Sequence, residues 1–175
     1  MANSKLTQLK DTLGIGARLN KYKVMLAAPQ GPTDDVKIDV LCKGGAIPAK
    51  TVGIVEVWNQ GRKLIIAGDS TFENTWTLTF WDDESHSLRK SFDDWLLFID
   101  DFENHKREIS DHNSYMTSAA KIQQLSTIDN SMVAEYNFHN LWPTSIAAIE
   151  MADETIDTLA EFTVDFAYSH WVKTA

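Results

Sequence analysis

The chain has 175 residues, 43% of them hydrophobic and 10% aromatic, which suits one packed domain with arms and excludes disorder along its whole length. A formal net charge of −9 excludes a protein that grips nucleic acid, because holding phosphates takes clustered lysine and arginine. Cys42 is the single cysteine, so no intrachain disulfide forms, and no apolar run reaches the length of a membrane span.

Met1-Ala2-Asn3-Ser4-Lys5 lacks the apolar stretch of a secretory signal, so the expectation is a soluble protein that stays in the cytoplasm where it is made. Residues 1–20 show no sustained period and read as an N-terminal arm ahead of one domain over 21–175. Tyr22 to Ala27 reads as a first strand, closed by Pro29-Gln30-Gly31-Pro32, which cannot continue a ladder. Ile38 to Lys43 reads as a second strand, ended by Gly44-Gly45, Thr51 to Trp58 as a third and Leu64 to Ala67 as a fourth. Asn59-Gln60-Gly61-Arg62 supplies the turn between the last two. In Asn74 to Trp81, Trp76, Leu78 and Phe80 share one face while Thr75, Thr77 and Thr79 share the other, the period of a half-buried strand.

One helix follows, over about 86–105, with Ser85 or Ser87 placed to cap it. Leu88, Phe92, Trp95, Ile99 and Phe102 fall in a stripe about 80° wide. Leu97 points the other way, among Asp93, Asp94, Asp100 and Asp101. Glu103 to Ser118 reads as a loop, and Ala120 to Leu125, Val133 to Leu141 and Glu161 to Ser169 as strands. The fold class expected is mainly β, a sandwich or barrel with one flanking helix.

Chemistry is sparse. His86, His105, His112, His139 and His170 form no H-x-x-x-H pair, and a lone cysteine offers no zinc framework. Asp34-Asp35, Asp82-Asp83-Glu84, Asp93-Asp94 and Asp100-Asp101 put carboxylates on neighbouring residues, which diverge instead of flanking one substrate; turn caps and a solvated helix face are the expected roles. Gly14-Ile15-Gly16 follows no strand and lacks a third glycine, and there is no phosphate loop or nucleophile elbow. No enzyme, metal or cofactor is expected. The unusual feature is Trp58 to Asp69, a polar glycine-punctuated tip joined to a strand apolar on both faces. Such a strand must be covered on both sides, by its own domain or by a neighbouring copy.

Val55-Glu56-Val57-Trp58-Asn59-Gln60-Gly61-Arg62-Lys63-Leu64 with Ala67-Gly68-Asp69 resembles the tail tube proteins of contractile-tailed, T4-like bacteriophages. So do Phe72-Glu73-Asn74-Thr75-Trp76 with Leu78-Thr79-Phe80, then Leu88-Arg89 with Phe92 and Trp95. Trp142-Pro143-Thr144-Ser145-Ile146, the run from Glu161 to Tyr168, and Trp171 continue the likeness in the same order. Trp142, where relatives often carry Phe, and Ala49, where they often carry Gly, depart from it. The resemblance implies a homohexameric ring with a continuous inner β-barrel, stacked into a hollow tube inside a sheath. It implies sheath, baseplate, tape-measure and tail-terminator partners, genomic DNA passing through the lumen without specific binding, and assembly in the host cytoplasm into the virion tail, with no membrane insertion by the monomer. On that reading Trp58, Asn59, Gln60, Gly61, Arg62, Lys63, Gly68, Asp69 and Phe72 are expected at contacts between rings and subunits, and the termini as ordering arms. Asp93, Asp94, Leu97, Asp100 and Asp101 are expected to face the sheath. The alternatives are the tube of a type VI secretion system or tailocin, a monomeric β-sandwich hydrolase using an acidic pair, or a carbohydrate-binding module stacking exposed tryptophan on sugar.

Overall fold

The computed structural model describes residues 5–29, 35–101, 111–152 and 157–174. Two four-stranded antiparallel sheets carry the body. One has the order β1-β6-β7-β10, from β1 (Tyr22–Met25), β6 (Lys121–Leu125), β7 (Met132–His139) and β10 (His170–Lys173). The other has the order β2-β5-β9-β8, from β2 (Cys42–Gly45), β5 (Thr75–Trp81), β9 (Glu161–Ala167) and β8 (Trp142–Ile146). The remaining strands, β3 (Lys50–Asn59) and β4 (Arg62–Phe72), pair with each other in a separate ribbon.

The alternation read from β5 and β9 builds the core. Trp76, Leu78 and Phe80 pair in register with Phe166, Val164 and Phe162, and all six are buried. They meet Val24, Ile122 and Phe138 of the first sheet, and Leu26 just past β1, in one cluster, with Trp76 stacked on Phe138 at 4.1 Å between ring centroids. Helix α3 (Ser87–Ile99) covers the rest of that apolar surface. Its Phe92 ring lies 5.4 Å from Phe80 and 5.9 Å from Phe166, and Trp95 Nε1 donates to the Tyr115 carbonyl at 2.9 Å. Truncating either buried aromatic to alanine costs about 3–5 kcal/mol.

The ends of α3 depend on charge. His86, at φ 49°, occupies the N-cap position without a side-chain cap bond. Neither expected serine caps the helix; Asp83 does, its Oδ1 accepting the Ser87 N–H and its Oδ2 the Ser87 hydroxyl, each at 3.0 Å. The helix stops at Ile99, short of the expected His105, with Asp100 extended at the C-cap and no basic residue in the last turn. Carboxylates after Ile99 oppose the negative end of the helix dipole. Phe102 and His105 lie outside the described residues, as do residues 30–32 of the expected first turn.

Several elements differ from the expectation. Ile38 to Lys43 is not a strand: α2 (Asp35–Leu41) comes first, and β2 follows from Cys42. The run Lys37-Ile38-Asp39-Val40 alternates as a strand would, and short runs do not separate the two periods. Docking decides it, since Ile38 is buried, Leu41 packs on the core, Val40 is exposed, and Asp39 Oδ1 accepts the β1 Val24 N–H at 3.0 Å. The N-terminal arm contains a helix, α1 (Lys5–Leu13), none of whose residues is buried. Gly14 N–H closes it on the Lys10 carbonyl at φ 54°. Two strands not foreseen, β8 and β10, pair with β9 and β7, and the Pro143 of β8 fits an edge position.

Candidate functional site

The β3–β4 hairpin dominates the surface. Gln60 (φ 47°) and Gly61 (φ 76°) form its two-residue turn, with both central residues left-handed as a twisted hairpin requires. Cross-strand partners share a face. One face carries Val55, Ile66, Val57 and Leu64, then Asn59 and Arg62 at the tip. The other carries Ile54, Ala67, Ile65 and Trp58, with Glu56 in an ion pair with Lys63, whose ammonium lies 5.8 Å from the Trp58 ring centroid. Neither face is covered: Ile54 is 69% exposed, Trp58 66% and Leu64 61%. The reading that the domain covers this strand itself therefore fails among the described residues. An isolated two-stranded ribbon is marginal in water, and contiguous apolar surface of this kind marks an interaction site.

A bulge bends the ribbon midway, where Gly53 stands opposite Gly68 and Asp69. A Cβ on Gly68 would sit 3.2 Å from Gly53 C, and one on Gly53 3.2 Å from the Asp69 carbonyl oxygen, so the crossing admits only glycine without backbone movement. Beyond the bulge the pairing resumes, and β4 runs to Phe72, past the expected end at Ala67. Phe72 roots the hairpin in its own body, edge-on to Trp171 at 6.0 Å and near His170 at 6.4 Å. The structure thus gathers Trp58, Asn59, Gln60, Gly61, Arg62 and Lys63 at one tip, leaves Gly68 and Asp69 at the bend, and sets Phe72 apart at the root.

On α3, Leu97 is 39% exposed and lies with exposed Asp93 and Asp94 on the side away from the core; Asp100, exposed, and Asp101, half-buried, follow the end of the helix. Asp82 and Asp83 serve local roles. Asp83 holds α3 and pairs with Lys37 at 2.9 Å, and Asp82 Oδ2 lies 2.6 Å from His86 Nδ1. The Asp83 carboxyl is held well below the usual carboxylate range, chiefly by the Ser85 hydroxyl and then by the Lys37 ammonium. His139 and His170 stack at 4.5 Å on paired strands.

One surface was only half legible beforehand. The outer face of the β2-β5-β9-β8 sheet carries Thr75, Thr77, Thr79, Thr163 and Asp165. Thr77 Oγ1 donates to Asp165 Oδ1 at 2.6 Å, and Ser145 Oγ to Asp165 Oδ2 at 2.9 Å. Lys43 lies over the Trp81 ring at 4.6 Å and pairs with Glu161. The alternation of threonines pointed to a polar face; the hydroxyl–carboxylate mesh across strands needed the register. This sheet ends in open edges at β2 and β8.

A family model described as phage tail tube protein matches residues 17–174. The chain is 30% identical over 132 residues to the tail tube protein gp19 of Enterobacteria phage T4, covering 74% of this chain and 78% of that protein. Among solved structures, the sheath–tube complex of an extracellular contractile injection system aligns at TM-score 0.62 and 11% identity, over 100% of this chain and 99% of the other. The baseplate of the anti-feeding prophage aligns at TM-score 0.61 and 14% identity, over 87% and 91%. These two likenesses are of fold.

Proposed function

Because this chain belongs to the phage tail tube protein family, we propose that it polymerises as stacked six-membered rings into the inner tube of a contractile phage tail, the conduit for the genome. The observation that carries the polymeric part is the hairpin, apolar on two faces and covered on neither. Surface of that kind is stable in water once another copy lies on it.

The β2-β5-β9-β8 sheet supplies the wall. Its inner face is core, its outer face is polar, and its β2 and β8 edges carry backbone donors and acceptors that ring closure would pair. We place the Thr77–Asp165–Thr163 face on the bore. Hydroxyls, carboxylates and a lysine already paired with Glu161 give DNA no cationic track to release counterions onto, so it slides. Facing outward, Leu97 among the α3 aspartates meets a basic, partly apolar sheath segment. Baseplate, terminator and tape-measure proteins complete the partners, with assembly in the host cytoplasm and residence in the virion tail. Kinship in sequence lies with the phage protein, which favours a phage tail over an injection device sharing the fold.

Negative-stain microscopy of the purified protein at high concentration tests the proposal. Annuli or tubes with six-fold end views are the expected result. A monodisperse monomer that never associates rejects it.

A further inference from the structure

We infer that the cavity beside Trp81, which carries the carboxylates of Glu150 and Asp157, receives the β3–β4 tip of a second copy of this chain, with Arg62 as the charged anchor. The inference rests on the tube-forming reading and names the contact by which one ring would hold the next.

The tip carries one cation that nothing answers. Lys63 is occupied, paired with Glu56 and near the Trp58 ring. Arg62 stands on the opposite face, across the ladder from Asn59, and its exposed guanidinium makes no hydrogen bond, ion pair or ring contact among the described residues. A guanidinium is weakly hydrated and forks onto carboxylates, which suits arginine to an ion pair enclosed between two chains.

The cavity has the opposite need. Its volume is about 750 Å³, room for several side chains of a hairpin tip. Lys43 lies in its wall but is taken, over the Trp81 ring at 4.6 Å and paired with Glu161. Glu150 and Asp157 are exposed and have no such partner among the described residues, so two negative charges stay unbalanced. Trp81, Ile149 and the 69% exposed Leu159 supply apolar wall beside them. The other two large cavities lack this chemistry. The groove beside Tyr22 carries Arg18 and Lys21, which would repel the tip, and the cavity beside Ile15 and Ile128 has no charged group in its lining.

The two halves of the contact sit at opposite ends of one copy. Phe72 roots the hairpin just before Thr75, the first residue of β5, whereas Trp81, the last, lines the cavity. At about 3.3 Å per residue, β5 separates root from cavity by roughly 20 Å. No hairpin residue lines its own cavity, and neither face of the ribbon is covered by its own body. The tip that enters therefore belongs to another copy. A contact between unlike patches leaves a free tip at one end and a free cavity at the other, so it repeats head to tail instead of closing as a two-fold pair. A stack of rings needs that polarity.

The test uses full-length protein. Arg62→Glu alone, and Glu150→Lys with Asp157→Asn, are each expected to raise the critical concentration for tube formation about tenfold. Asparagine tolerates the left-handed backbone at position 157, where φ is 63°. Combining all three substitutions in one chain is expected to recover most of the loss. Independently, a Cys42→Ser chain carrying both Asn59→Cys and Thr158→Cys is oxidised after assembly. A ladder of covalent trimers and longer oligomers is expected on a non-reducing gel, because each copy gives one link and receives another. Tubes without the ladder, or a combined variant that assembles no better than either parent, overturn the contact and leave the tube reading standing. Native protein that forms neither rings nor tubes overturns that reading, and the contact falls with it.

Discussion

At the scale of single residues, Cys42 and Asp83 show how environment sets chemistry. Burial pushes the Cys42 thiol up to about 11, against the smaller opposing effect of a hydrogen bond from the Gly44 backbone. Beside an ordinary thiol near 8.5, its thiolate population at pH 8 is lower by roughly two orders of magnitude. A thiol reagent is therefore expected to label native protein at least about a hundredfold more slowly than urea-unfolded protein; equal rates would mean the side chain is open. Asp83 runs the other way. Its folded-state value is depressed, so its stabilisation is complete above about pH 4, the unfolded range, and is lost as pH falls through the lower folded value. Asp83→Asn is expected to melt a few degrees below the native protein at pH 7, with the gap narrowing below about pH 4 in thermal scans.

At the scale of elements, the hairpin and α3 are separable from the core in opposite senses. The ribbon pairs only with itself among the described residues and touches the body through its Phe72 root. Replacing residues 53–69 with an Asn-Gly turn joining the Val52–Ser70 pair should leave the melting temperature within about 3 °C while abolishing tube formation in microscopy. A collapse of the fold would show the ribbon to be structural. Helix α3 is half core and half surface: Phe92 and Trp95 cannot change without loss of stability, whereas Leu97 can. Leu97→Asp tubes are expected to form normally and to recruit sheath protein less well, by about threefold or more in co-sedimentation. Undiminished recruitment would remove the helix from the sheath contact.

At the scale of the molecule, the sheet with one apolar and one polar face is what makes a wall, and its charge should set how a polyanion passes. Thr77 and Thr163 lie on the polar face without entering the core. Converting both to lysine adds two cations per copy to the proposed bore, so particles carrying Thr77→Lys and Thr163→Lys should eject DNA more slowly at low salt and recover as salt rises. Ejection at the native rate at every salt concentration would place that face elsewhere.

Local periodicity carried much of this molecule into view. The alternation around Trp76–Phe80 and Phe162–Phe166, the stripe Leu88–Phe92–Trp95 and the Gln60-Gly61 turn are short-range patterns, and each holds in the fold because backbone geometry acts on near neighbours. The motifs around Val55–Asp69 likewise pointed to the tail tube family, to which the chain belongs. Other features depend on groups far apart in the chain. Whether Ile38 sat on a helix or a strand depended on what it docked against, and β8 and β10 became strands because β9 and β7 left edges for them. That both faces of the hairpin stand uncovered could be seen only once everything else had taken its place, since burial is set by distant parts of the chain and not by the residues being buried.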